Sequence, residues 1–188
     1  MTRQTTASLR NIPMNATNRT VVDLAHGVQR GDITLDAPYQ RGHIWTVDQR
    51  IALIRSWLQG IPVAAAILNN RMGRGWPVAG PAYAVVDGKQ RITTAIMWLD
   101  DEFAVPASWF DPRWVDTTVD TDDGPYVHHS NLSVVGQRMF ATRAMLPCAE
   151  AQVSSVAAEA EVYLLVNGEG TPQTDADMVN ARRVAEGH

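Results

Sequence analysis

The sequence predicts a mixed α/β (α+β) fold. Apolar residues recur with the period of amphipathic helices in several segments, whereas two short apolar runs have the length of buried strands. The central segments follow one another as helix, strand, strand, turn and helix, an order that favours a mixed architecture. The chain has 188 residues, of which 45% are hydrophobic and 19% charged, so it can build one domain around a packed core.

Composition excludes several classes of protein. No apolar run approaches the ~20 residues that span a bilayer, and the first residues lack the apolar segment of a secretory signal. Cys148 is the only cysteine, which excludes a disulfide framework and a cysteine-only zinc site. A net charge of −4 and a pI near 5.7 argue against unspecific duplex binding but leave room for a local basic groove. We therefore expect a cytoplasmic protein without a membrane partner.

The N-terminal part is expected to be an arm followed by two capped helices. Residues 1–18 are polar and without period, which predicts a flexible N-terminal arm and a single domain over 19–188. Thr20 has the position of an N-cap for the first helix. Thr46 has the same position for a second helix that runs to about Gln59.

The centre of the chain is expected to hold two strands and a third helix. The apolar run 63–68 suits a buried strand, and a loop rich in Gly and Pro follows it over 69–81. Residues 82–86 predict a second short strand. A turn at 87–88 then leads into a helix over 89–99, whose apolar residues have helical spacing.

The C-terminal part is less regular. Aromatic residues within 100–131 indicate hairpin or loop material, and 132–148 is ambiguous between strands and a short helix. Residues 154–166 predict a helix, 167–173 a glycine-containing loop, and Thr174 the cap of a final helix.

The turn after the second central strand is the most informative segment for function. The free N–H groups and the dipole of a helix that begins here favour an anion. Gly88 permits close approach of a ligand to the backbone, and Lys89, the only lysine, and Arg91 add positive charge. Asp87 is suited to holding a metal ion or accepting a proton. The alternative is a structural turn with a solvated basic edge.

Two further loops carry residues suited to binding a nucleotide. Tyr39 and Arg41 can stack on and clamp a base or phosphate, and the glycine loop after Asn167 can wrap a phosphate. The alternatives are a loop fixed to the core by Tyr39 and Trp45, and a simple corner between two helices.

Taken together, these motifs resemble the ParB/sulfiredoxin-like superfamily. The most similar branch carries an Asp-Gly-Gln-Gln-Arg motif and includes the N-terminal, nucleotide-hydrolysing domain of GmrSD-type modification-dependent restriction enzymes. The resemblance covers residues 20–183. Its matching segments are 38–41 with Trp45, 53–56, 60–62, 87–91 and 167–172.

The sequence departs from that pattern in three ways. Lys89 replaces the first Gln of the motif, and Gln173 stands where Leu is usual. We also expect a stand-alone, phage-like version without the nuclease domain. Consequently, we expect no cutting centre, and we interpret the adjacent pair His128 and His129 as solvated loop residues.

The resemblance implies a compact domain with a small mixed sheet flanked by helices, whose motif turn binds nucleotide phosphates. It implies a nucleoside triphosphate, ATP or GTP, with Mg²⁺ as cofactors. The implied catalytic residues are Asp87, which also holds the metal, Gln90 and Arg91. The implied nucleotide-binding residues are Tyr39, Gln40, Arg41, Gly88, Lys89, Arg91, Asn167 and Thr171.

Three functions follow as hypotheses. The first is a phosphoryl-transfer enzyme, an NTPase or kinase, in a DNA-modification or phage and restriction context, whose acceptors include a hydroxymethylated pyrimidine in DNA. The alternative is a non-catalytic module that senses nucleotide or DNA, and a ParB-like nuclease is the third. The expected partners are a nucleotide and DNA, with a homodimer left open.

Overall fold

The computed structural model describes residues 8–9, 11–40, 44–167 and 175–186. The strands in these ranges are β1 (Met14–Thr20), β2 (Ile33–Thr34), β3 (Ala66–Asn70), β4 (Tyr83–Asp87), β5 (Val105–Pro106), β6 (Val119–Thr121), β7 (Gly124–Val127) and β8 (Met145–Ala151). The α-helices are α1 (Val21–Gln29), α2 (Val47–Leu58), α3 (Lys89–Leu99), α4 (Val134–Arg143), α5 (Val156–Asn167) and α6 (Asp175–Ala185).

Two sheets organise these elements. The larger sheet has the order β1-β8-β3-β4-β2 and is mixed, because β8 and β3 pair in parallel, as do β4 and β2, whereas the other pairs are antiparallel. The smaller sheet is antiparallel, with the order β5-β7-β6. The predicted mixed α/β fold, with a small mixed sheet flanked by helices, is confirmed.

The first two helices begin where the sequence predicts. The Thr20 hydroxyl accepts a hydrogen bond from the amide of Asp23. Thr46 and Gln49 form a complete capping box, in which each side chain bonds the other residue's backbone amide. Such caps satisfy amides that have no partner inside the helix, which explains why single residues predict both starts.

The predicted flexible arm over residues 1–18 is wrong for its last part, because residues 14–20 form β1. This strand pairs with β8 from Met14 opposite Ala151 to Thr20 opposite Met145. Most of its side chains are exposed, so the strand lacks the apolar alternation that reveals strands in a sequence. Backbone pairing and the Arg19–Glu150 ion pair hold it instead.

The first central strand lies further along the chain than predicted. The sequence predicts a strand over residues 63–68, whereas β3 begins at Ala66 and ends at Asn70. Asn69 is fully buried in β3 even though its side chain is polar. It donates to Glu159 and Val153 and accepts from the Val153 amide, so distant partners satisfy it that no local pattern reveals.

The segment that was ambiguous in the sequence contains α4 followed by β8. The expectation that His128 and His129 are a solvated pair is wrong, because both are half-buried and His128 Nδ1 is inaccessible. The His129 ring packs edge-on against Trp98 and Phe140, with centroid distances of 5.9 Å to each. Burial lowers the pKa of His129 below its ordinary value, and nearby Asp101 opposes that shift.

The apolar core lies on both faces of the large sheet. Val85 of β4 belongs to the larger cluster, which also contains Ile92, Ala95 and Trp98 of α3. Val86, the next residue, belongs to a second cluster, because successive strand residues point to opposite faces. None of the helices in the described ranges combines the length and apolar character that a membrane crossing requires.

Candidate functional site

The turn between β4 and α3 requires glycine for two independent reasons. Gly88 is the N-cap of α3 and has a φ of 97°, a conformation that side chains with a Cβ rarely adopt. A Cβ at this position would also lie 2.8 Å from the Cβ of Ala66 in β3. The close approach that the structure shows is therefore made by the neighbouring strand.

Among the described residues, the N-terminus of α3 retains donors without a partner. No described side chain caps this helix, and the amide of Arg91 donates to the Gly88 carbonyl at 3.0 Å. The amides that precede this bond have no partner inside the helix. Together with the helix dipole such amides favour an anion. Anion binding at this turn stays a prediction.

Asp87 and Arg91 form an ion pair one helical turn apart. Arg91 Nη2 lies 2.8 Å from Asp87 Oδ2 and also donates to the carbonyl of Ala65 at 3.1 Å. Arg91 Nε is buried and has no acceptor among the described residues. Only 14% of the Arg91 side chain and 26% of the Asp87 side chain are exposed, so solvent screens this pair less than a surface ion pair. A doubly charged phosphate can compete with Asp87 for this guanidinium.

The other two motif side chains are held weakly. Gln90 Oε1 accepts from the Trp45 amide at 3.3 Å, which leaves its NH₂ group as a donor. Lys89 Nζ lies 3.9 Å from Asp36 Oδ1, and the Asp36 side chain is 98% exposed. Lys89 is therefore able to turn toward a ligand at the start of α3.

The Tyr39–Gln40 segment is attached directly to β4. Gln40 Nε2 donates to the carbonyls of Val85, at 3.0 Å, and Val86, which precedes Asp87. Gln40 Oε1 is buried without a donor among the described residues. The segment thus lies against the end of the strand that carries Asp87.

Tyr39 is buried, and its contacts fix this segment to the core. Its ring lies 5.6 Å from that of Tyr163 and has no exposed surface on which a base could stack in this structure. Its hydroxyl donates to Glu159 at 3.2 Å. Burial and the Glu159 carboxylate raise the pKa of Tyr39 far above its ordinary value, so the hydroxyl remains a donor.

Two of the predicted binding residues, Arg41 and Thr171, lie outside the described residues. Asn167 ends α5, and its Nδ2 donates to the Tyr163 carbonyl at 3.0 Å. Tyr163 and Val86 share the second cluster, so α5 and β4 meet there. The expectation that Arg41 and Asn167 lie near Asp87 stays a prediction.

A buried arginine beside α3 was missed by the sequence analysis. Arg50 of α2 is 4% exposed, and its Nη1 lies 3.4 Å from Thr94 Oγ1, which in turn donates to the Gln90 carbonyl. The signal was available, because Arg50 precedes Leu53 and Trp57 at the spacing of the buried stripe.

Among the residues that the structure describes, Asp87 is the carboxylate that the turn offers to a metal ion. Within the described ranges no group of three or more His, Cys, Asp or Glu residues could hold a metal ion. Mg²⁺ often binds proteins through one or two carboxylates and completes its shell with phosphate oxygens and water. Asp87 therefore fits a magnesium ion that arrives with a nucleotide.

Two cavities in the described part of the chain lie away from this turn. The larger, of about 730 Å³, is a groove between α2 and the smaller sheet. A second, of about 50 Å³, lies beneath Trp57, Trp109 and Trp114. Neither is lined by a residue of the β4–α3 turn.

Comparison with known proteins identifies the family. The family described as GmrSD restriction endonuclease, N-terminal domain, matches residues 22–183. The chain belongs to this family. No curated protein and no solved structure matches it. The match runs from α1 into α6, so this GmrSD-type domain includes the β4–α3 turn, the Tyr39–Gln40 segment and Asn167. The family places the domain in the context of restriction enzymes.

Proposed function

We propose that this GmrSD-type domain binds a nucleoside triphosphate, ATP or GTP, at the β4–α3 turn and transfers its terminal phosphoryl group to water or a hydroxyl. The observation that carries the proposal is the open N-terminus of α3, which is flanked by Asp87, Lys89 and Arg91. The family match supports it through the restriction context. Membership of the ParB/sulfiredoxin-like superfamily is part of the same proposal.

Each motif residue has a definite role in this reaction. The first amides of α3 and the Lys89 ammonium hold the phosphates. The Arg91 guanidinium separates from Asp87 and neutralises charge on the transferred group. The NH₂ group of Gln90, which has no acceptor among the described residues, orients the attacking water or hydroxyl. Asp87 has two alternative roles: it accepts the proton of the attacking oxygen, or it holds Mg²⁺, which would neutralise charge on the phosphates.

The attack can be written with atoms in balance. A bond forms between the attacking oxygen and the terminal phosphorus, and the bond from that phosphorus to the bridging oxygen breaks. The leaving nucleoside diphosphate keeps the electron pair. With water as acceptor the product is phosphate, and with a DNA hydroxyl it is a phosphate ester, for which the base must be extruded or single-stranded.

Nucleotide turnover tests this proposal. ATP and GTP hydrolysis is measured with and without Mg²⁺ for the wild type, for Asp87→Ala and for Asp32→Ala. Asp32 is a matched control, because it also pairs with an arginine but is exposed. We expect turnover in the wild type and the control and its loss in Asp87→Ala. Absence of both binding and turnover in the wild type contradicts the proposal.

The closed Asp87–Arg91 pair favours a second candidate, a module that senses nucleotide without hydrolysing it. In that case nucleotide separates the pair and no chemistry follows. Tight binding without turnover, and without label transfer to DNA that contains hydroxymethylated pyrimidines, would support this candidate.

A further inference from the structure

Glu159 of α5 is a fully buried carboxylate that accepts hydrogen bonds from three side chains in two separate parts of the chain. Arg71 binds it with two bonds, Nε to Oε1 at 2.8 Å and Nη2 to Oε2 at 2.6 Å. Asn69 Nδ2 donates to Oε1 at 2.7 Å, and the Tyr39 hydroxyl donates to Oε2 at 3.2 Å. Both carboxylate oxygens are thereby satisfied by two donors each.

The arginine side of this network is complete without Tyr39. Arg71 neutralises the charge of Glu159, and its guanidinium lies 4.3 Å from the ring centroid of Trp76. Trp76 Nε1 donates to the Val153 carbonyl at 2.8 Å, which closes this end of the network. A buried carboxylate with a bidentate arginine and an amide already has its charge and most of its hydrogen bonds satisfied. The longer bond from Tyr39 is not needed for that purpose.

The Tyr39 bond has a different consequence, because it leads to the candidate site. Tyr39 is followed by Gln40, whose amide binds the Val85 and Val86 carbonyls immediately before Asp87. Gln40 Oε1 has no donor among the described residues, so the two bonds donated by Nε2 are the described hydrogen bonds of the Gln40 side chain. Its backbone amide donates to the Ala37 carbonyl at 2.9 Å. The Tyr39–Gln40 segment is thus attached at two neighbouring side chains, by Tyr39 to Glu159 and by Gln40 to the end of β4.

We propose that Glu159 is a positioning residue for the nucleotide site, which it serves through the Tyr39 hydroxyl. The bond fixes Gln40 on the end of β4 and so fixes the strand from which Asp87 projects. This proposal rests on the proposed function for its catalytic consequence. Its structural consequence, the order of the Gln40–β4 contact, stands independently.

The deciding variant is Tyr39→Phe. It keeps the ring against Tyr163 and removes one hydrogen bond, whereas Glu159→Gln leaves the partly buried Arg71 charge unpaired and is at risk of misfolding. The matched control is Trp76→Phe, which removes one hydrogen bond at the opposite end of the network. Both variants are expected to lower the melting temperature to a similar degree.

Kinetics and hydrogen exchange separate positioning from stability. We expect Tyr39→Phe to lower kcat/KM for ATP by about five- to tenfold, in line with a lost positioning hydrogen bond, and Trp76→Phe by less than about twofold. In a Gln40→Ala background Tyr39→Phe should add nothing, because the two residues act in series. Amide exchange of β4 should increase in Tyr39→Phe and remain unchanged in Trp76→Phe.

Two outcomes overturn the positioning role. One is unchanged exchange of β4 in Tyr39→Phe, and the other is an equal effect of both variants on kcat/KM and on exchange. If the wild type neither binds nor hydrolyses nucleotide, the proposed function fails, and the exchange measurement still decides whether Glu159 positions β4 through Tyr39.

Discussion

Both the backbone conformation and the packing at position 88 require glycine. Its φ of 97° disfavours any Cβ, and Ala66 occupies the space into which a Cβ would project. Gly31 has a similar φ, 81°, but no atom lies near its missing Cβ. The two glycines therefore separate backbone strain from steric exclusion.

We expect Gly88→Ala to lower the free energy of unfolding by more than Gly31→Ala does. Gly31→Ala should lose about 1 kcal/mol from strain alone, and Gly88→Ala about 2–4 kcal/mol from strain and overpacking. Urea denaturation of both variants measures the difference. Equal losses would show that Ala66 gives way, and Gly88→Ala combined with Ala66→Gly should recover the steric part.

Arg91 and Lys89 are expected to contribute unequally to nucleotide binding. Arg91 can form paired bonds with a phosphate, whereas Lys89 is a point charge on a mobile stem. Arg91→Ala should lose about 1.5–3 kcal/mol of binding, which is roughly one to two decades in affinity. Lys89→Gln, which restores the residue of the resembling family, should lose less.

Isothermal titration calorimetry with ATP tests whether Arg91→Ala loses more affinity than Lys89→Gln, and thermal melting measures the effect of each variant on folding. The matched control is Arg113→Ala, since Arg113 forms an exposed pair with Asp111 far along the chain from the turn. Folding should change little in Lys89→Gln and Arg113→Ala. Arg91→Ala should also lower the melting temperature, because it removes a mostly buried side chain and its bonds to Asp87 and the Ala65 carbonyl. Unchanged binding in both Arg91→Ala and Lys89→Gln would return the segment to a structural turn with a solvated basic edge.

At the scale of elements, the sequence predicts what local chemistry determines. Thr20 and Thr46 reveal two helix starts because a cap is satisfied within three residues. β1 was missed because its partner, β8, lies more than 100 residues away and its exposed side chains carry no pattern. The sequence also does not predict that β3 includes Asn69, because the residues that satisfy this buried side chain, Glu159 and Val153, are distant in the chain.

The 3-10 turn His129–Asn131 predicts a pH dependence. Burial against Trp98 and Phe140 lowers the pKa of His129 in the folded state. The unfolded chain therefore binds a proton at His129 more readily than the folded chain does. The contribution of neutral His129 to stability is full above the unfolded-state pKa of about 6.5 and declines as the pH falls below that value.

Melting temperatures between pH 7.5 and 5.5 test this dependence. The wild type should become less stable toward pH 5.5, and His129→Phe, which keeps an aromatic ring between the same neighbours, should flatten that slope. An unchanged slope in His129→Phe would show that another group titrates.

At the scale of the whole molecule, the two faces of the large sheet pack against different clusters of buried residues. One face carries the larger core, and the other joins Tyr39, Val86 and Tyr163 in the second cluster. The sequence predicted the motif turn because its residues are contiguous. It could not predict that Glu159 holds Tyr39, because that contact joins residues 120 positions apart.

Val85 and Val86 test this division with a matched pair of variants. Both are fully buried neighbours in β4, so Val85→Ala and Val86→Ala remove the same atoms from opposite faces. Each should lower the free energy of unfolding by about 1–3 kcal/mol.

Only Val86→Ala loosens the cluster that contains Tyr39 and α5. We therefore expect ATP affinity to fall several-fold in Val86→Ala and to stay within about twofold of wild type in Val85→Ala. Titration at a temperature where both variants are folded measures this. Equal effects on affinity would mean that the site depends on the stability of β4 as a whole, rather than on the face of the sheet that holds Tyr39.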